Sequence, residues 1–138
     1  MKGLKKIKVL AVGLILVLSL AGCNGKAAMN KSAENTTDIA LNFVDCLVEG
    51  NYRDAVSMFD ENMKKEITET DLSGVWELLQ QQVGPYISTI SNRTEKVEGH
   101  DIVSVTSEFE QALIDIRVVI DQKREIAGLF IEQAQVNK

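Results

Sequence analysis

Pro85, the chain's single proline, separates two stretches of different hydrophobic period, and that change limits the fold more than any other feature. Upstream, Ile39, Phe43, Val44, Leu47 and Val48 recur at helical spacing from Asp38 to Glu49. Thr36 or Thr37 stands where an N-cap belongs, and Gly50 is the stop. Asn51 turns the chain, and Tyr52, Ala55, Val56 and Phe59 mark a second, shorter helix. The polar stretch Asp60 to Thr70 reads as a loop. Asp71 opens a third helix with Leu72, Val75, Trp76 and Leu79 on one face, and Gly84 ends it just before the proline.

Downstream of Pro85 the period becomes 2. Tyr86 to Val97 is a polar strand, and Glu98-Gly99-His100-Asp101 is a hairpin turn. From Ile102 to Phe109, Val103, Val105 and Phe109 point one way while Ser104, Thr106 and Glu108 point the other. Leu113 to Ile120 repeats the pattern, with Ile114, Ile116, Val118 and Ile120 opposite Asp115 and Arg117. A turn at Asp121 to Arg124 leads to a last strand from Glu125 to about Gln133, and Gly128 within it marks a bend or bulge. Three N-terminal helices followed by four consecutive antiparallel strands predict an α+β layer: helices packed on one face of a curved four-stranded sheet.

The amino terminus predicts an address. Lys2, Lys5, Lys6 and Lys8 precede an uncharged run from Val9 to Gly22, too short to span a bilayer comfortably and matching the plan of a secretory signal peptide. Its exit, Leu20-Ala21-Gly22-Cys23, resembles the lipobox of bacterial lipoproteins. That resemblance implies cleavage after Gly22, a diacylglyceryl group on Cys23 and residence on the outer, extracytoplasmic face of the cell membrane. An uncleaved anchor with Cys23 as a buried thiol is the alternative. The predicted organisation is a signal peptide at 1–22, lipidated Cys23 with a flexible linker to residue 36, a domain at 37–134 and a tail at 135–138.

Removing the signal peptide takes away four lysines and leaves 11 basic against 20 acidic residues, net −9. Such a domain does not suit nucleic acid, whose phosphates need a basic patch, and anionic lipid would repel it. Lipid anchoring is therefore the predicted contact with the membrane. With Cys23 acylated, Cys46 is the remaining thiol, and its place beside Ile39, Phe43 and Leu47 reads as a small buried hydrophobe.

The residues carry no recognisable catalytic set. His100, the only histidine, sits in a turn beside Asp101, where a solvated histidine outweighs a His-Asp dyad. One histidine with no Cys or second His at ligand spacing argues against a transition-metal site, so no metal is expected, with carboxylates alone as the alternative ligand set, and no cofactor motif is present. Arg117 could clamp a carboxylate ligand or form a cross-strand ion pair with Asp115; the pair is the simpler reading. Trp76 at helical spacing with Leu72 and Leu79 reads as core.

The order of helices and curved meander is similar to the cystatin-like, nuclear transport factor 2-like cone. More narrowly, Ala40-Leu41-Asn42-Phe43-Val44, Gly50-Asn51-Tyr52, Ala55-Val56-Ser57-Met58-Phe59-Asp60, Leu72 to Trp76, Asp115-Ile116-Arg117-Val118-Val119 and Ile126-Ala127-Gly128-Leu129-Phe130 resemble blocks of the bacterial family called domain of unknown function 3887. The resemblance implies an accessory or ligand-binding module, often found before an α/β-hydrolase domain or alone as a secreted or lipid-anchored protein. With the chain ending at Lys138, any such hydrolase is expected to be a separate polypeptide.

The function expected is a membrane-anchored, non-catalytic binding domain. It would take a small apolar ligand in a cone lined by Phe43, Phe59, Trp76, Val105, Ile116 and Val118, or a protein partner or second copy on the outer sheet face. A small isomerase or hydrolase accessory using His100, Asp101 or Arg117 is the alternative.

Overall fold

A computed structural model describes residues 35–135. The predicted signal peptide, Cys23 and the predicted linker up to Glu34 lie outside the described residues. Among those described, no helix is long and apolar enough to cross a membrane.

Helix α1 spans Thr36–Glu49. The Asn35 side chain caps it by accepting from the Thr37 N–H at 3.1 Å, one residue before the Thr36 or Thr37 cap that spacing suggested. Gly50, at φ 74°, closes it in the left-handed conformation. Ile39, Ala40, Phe43, Val44 and Leu47 form its buried stripe. Helix α2, Tyr52–Ser57, ends earlier than predicted. Phe59 lies beyond it, in a parallel bridge to Ile126.

Four helices, not three, precede the sheet among the described residues. The predicted loop Asp60 to Thr70 contains α3, Glu61–Glu66, whose first turn is capped by the Asp60 carboxylate accepting from Met63 N–H at 2.8 Å. Helix α4, Glu69–Val83, starts two residues before Asp71. Thr68 and Asp71 form a reciprocal capping box at its start. Leu72 and Trp76 are buried on it, whereas Val75, assigned to that face from spacing, is 47% exposed.

The sheet is a meander of β1 (Tyr86–Val97), β2 (His100–Phe109), β3 (Leu113–Ile120) and β4 (Ile126–Gln133), in that spatial order and all antiparallel. Its first turn is shorter than predicted. Glu98 and Gly99 alone make it, both with positive φ, as a twisted two-residue hairpin requires. The bend expected at Gly128 is a register shift beside it, where Val119 pairs with Gly128 but Ile120 with Ile126, leaving Ala127 as the extra residue.

Alternation sorts the sheet into two faces. The helix side carries Val103, Val105, Phe109, Ile114, Ile116, Val118 and Ile120, all buried against the helices. Each such side chain contributes roughly 1.5–3 kcal/mol by leaving water. Phe43 and Phe59 meet at 5.7 Å between ring centroids, and Phe109 stands edge-on to Trp76 at 5.6 Å and to Tyr86 at 5.7 Å. The outer face is polar. Its central row reads Arg93, Ser104, Arg117, Phe130 across the four strands, and the next row reads Ser91, Thr106, Asp115, Glu132.

Candidate functional site

At the end of the sheet where β2 turns into β3, a cleft of about 390 Å³ opens between the last turns of α4 and the β3–β4 ladder. Five apolar side chains, Leu79, Val83, Ala112, Ile114 and Ile131, form part of its lining. Gln82, Gln111 and Gln133 supply the polar remainder; Glu132 borders the cleft, but its carboxylate is on the outer face with Arg117. The sequence places these residues together through three separate decisions. Leu79 and Val83 extend the Leu72–Trp76 stripe of α4 to its end. Gly84 and Pro85 then turn the chain, and Gln111 N–H donates to Val83 O at 2.8 Å while Glu110 N–H donates to Pro85 O at 3.0 Å. Finally, the β3–β4 register sets Ile131 beside Ile116 and Gln133 beside Ile114 on the helix side.

An apolar floor with three primary amides can bury an uncharged group and hydrogen-bond polar atoms beside it. It offers no paired acid and base. Ser107, in the same cross-strand row as Ile114 and Gln133, is fully buried with its hydroxyl unpartnered, but no base is set beside it. His100 lies at the opposite end of β2, about 30 Å along the strand at 3.3 Å per residue. It is exposed, and its Nδ1 lies 3.3 Å from Glu98 O.

Asp101 does not form a dyad with His100. It holds Lys96 Nζ at 2.8 Å, and that bond, helped by the Thr36 hydroxyl and opposed by partial burial, lowers its pKa. Arg117 lies on the outer face, bonded to Glu95 at 3.3 Å and Glu132 at 3.2 Å, so its charge is shared between β1 and β4. The expected Asp115 partner is taken instead. Asp115, 2% exposed, accepts from Arg93 at 3.0 Å and from the Thr106 hydroxyl at 2.6 Å. Register explains the exchange: Arg93 and Arg117 flank Ser104 in one row, one row from Asp115. Ser104 Oγ and Arg117 Nε are buried there without partners.

The six residues expected to line a cone, Phe43, Phe59, Trp76, Val105, Ile116 and Val118, are at most 3% exposed and pack as core. None of them lines the α4–β4 cleft. Cys46 is half-buried against the core, and burial, followed by the carboxylates of Asp54, Glu49 and Asp45, raises its pKa. No group of three or more histidine, cysteine, aspartate or glutamate residues placed to hold a metal occurs among the described residues. Sequence alone marked Leu79 as a helix-face residue but had no signal for the glutamines, whose meeting depends on chain reversals.

A family model described as a protein of unknown function, DUF3887, matches residues 40–129. Among curated proteins, the chain is similar to Esterase EstD of Thermotoga maritima, 26% identical over 95 residues. That match covers 69% of this chain but 23% of the esterase. No solved structure matches. With its helical half and most of its sheet inside the matched segment, the chain belongs to the DUF3887 family.

Proposed function

We propose that this protein is an extracytoplasmic lipoprotein, held to the membrane through acylated Cys23, whose α+β domain is a non-catalytic accessory domain binding a small apolar ligand or a partner protein. The observation that carries the binding role is the α4–β4 cleft, with its apolar floor and amide rim and no converging acid–base pair. Similarity to a minor part of an esterase supports an accessory role, with a separate α/β-hydrolase-type protein as the partner class.

Two experiments test this. The purified full-length chain is expected to leave p-nitrophenyl acetate at the buffer rate. Hydrolysis that Ser107→Ala abolishes would overturn the non-catalytic role. Cys23→Ala is expected to release the protein from membranes or leave it unprocessed; normal processing with unchanged membrane retention would sink the anchor.

A further inference from the structure

The two edges of the sheet are built differently. β1 carries two register shifts, at Ile87 and Ile90, and the charged Arg93, Glu95 and Lys96. Such features keep an edge from pairing with another chain. β4 begins already paired: Ile126 N–H donates to Met58 O at 2.8 Å and Asp60 N–H donates to Ile126 O at 2.9 Å. The Met58–Asp60 segment thus lies along this edge as a short parallel strand until α3 carries the chain away.

Past the Ala127 bulge, the edge runs Leu129-Phe130-Ile131 with no charge, proline or further register shift. Ala134 N–H donates to Leu113 O at 2.9 Å, which fixes the phase of the ladder. Phe130 and Glu132 then direct their backbone groups to β3, while Leu129, Ile131 and Gln133 direct theirs outward. Among the described residues, no backbone bond from outside the sheet reaches those three. Ile131 and Gln133 also line the cleft, so the unpaired edge and the cleft form one surface. Phe130 stands 58% exposed on its other side.

We propose that this surface accepts an extended, uncharged-to-basic segment of a partner protein as a fifth strand. The segment's main chain bonds to Leu129, Ile131 and Gln133, continuing the line begun by Met58–Asp60, and its alternate side chains enter the cleft. Charge selects the occupant. The residues from 35 to 135 carry 19 acidic and 8 basic side chains, and five of the basic ones are already in ion pairs. An acidic segment, or a second copy of this chain, is therefore disfavoured. This inference rests on the binding-domain function and narrows its ligand to a peptide strand.

The test uses the full-length chain in neutral detergent and a capped nine-residue peptide alternating valine with threonine and lysine. Binding is followed by fluorescence anisotropy, and Leu129–Gln133 amide exchange by NMR. The peptide is expected to bind and to protect the Leu129, Ile131 and Gln133 amides. N-methylation of its alternate residues in the register that faces β4 is expected to weaken binding about tenfold or more, since each methyl removes a main-chain donor. Replacing its lysines by glutamate should weaken it similarly, and Ile131→Lys should abolish it. N-methylation alters only the probe, so the test survives a variant that fails to fold.

Absence of peptide binding, or affinity indifferent to N-methylation in either register, would overturn strand addition. If an apolar dye still entered the cleft and Ile131→Lys displaced it, the binding-domain function would stand without the peptide. A free chain that is a dimer by sedimentation and becomes monomeric with Ile131→Lys would assign the edge to a second copy and overturn the proposed partner.

Discussion

Gly84→Ala places a methyl group at the joint between the helical layer and the sheet. Gly84 has φ 83° and ψ 174°, a region that side-chain-bearing residues rarely enter, at a cost of roughly 1–3 kcal/mol. A Cβ there would also stand 2.6 Å from Glu110 Cβ and 3.5 Å from Glu110 Cα. Glu110 cannot simply swing aside, because its N–H is bonded to Pro85 O at 3.0 Å and the next residue, Gln111, to Val83 O at 2.8 Å. Overpacking of this kind adds about 1–3 kcal/mol. The expected destabilisation is therefore about 2–6 kcal/mol, read as a lower urea midpoint with an unchanged slope. Trp76, the only tryptophan and 3% exposed beside Tyr86 and Phe109, reports the transition by fluorescence. Adding Glu110→Gly should return the overpacking part and leave the backbone part, so the double-mutant cycle separates them. A Gly84→Ala midpoint within about 0.5 kcal/mol of the parent would refute the strained joint.

Other perturbations have directions fixed by named contacts. Asp115→Ala removes the acceptor of both Arg93 and Thr106 and should cost about 1–3 kcal/mol in urea denaturation, whereas Arg93→Met, at an exposed site, should cost about 1 kcal/mol or less. Equal losses for the two would contradict the unequal burial. Asp101 has a lowered folded-state pKa, so its contribution is present above the unfolded carboxylate value near pH ~3.9 and is lost as pH falls through the folded value. Lys96→Met should flatten that acid limb in pH-dependent melting; an unchanged limb would remove Lys96 as its cause. Cys46, with a thiol pKa raised chiefly by burial, should react with iodoacetamide at pH 8 several-fold more slowly than a free cysteine, and equal rates would contradict its packing.

How far the fold can be read from sequence depends on the range of the forces involved. The limits of β1 follow from Pro85 before it and the Glu98-Gly99 turn after it, those of β3 from alternation across Leu113–Ile120, and the structure has the same limits. Helix α3 escapes because Met63 is its single buried residue, too few for a period to show; its cap at Asp60 is the one local signal. Phe59 was placed on a helix by spacing, yet it is held by a bridge to Ile126, 67 positions away. Arg117 shows the same limit. Its charge and strand position were legible, but its partners Glu95 and Glu132 are chosen by the registers of two other strands. The cleft was the least legible feature, because α4, the β2–β3 turn and β4 each contribute an amide that is unremarkable where it stands in the chain.

The central claim is that the α4–β4 cleft binds and does not catalyse. Native mass spectrometry of the full-length protein recovered from its source, compared with its Ile131→Lys variant, tests that claim most directly. The account predicts an added mass, ligand or partner, on the parent chain and its loss from a folded variant. The same added mass on both, or none on a parent chain that turns over an ester, would contradict it.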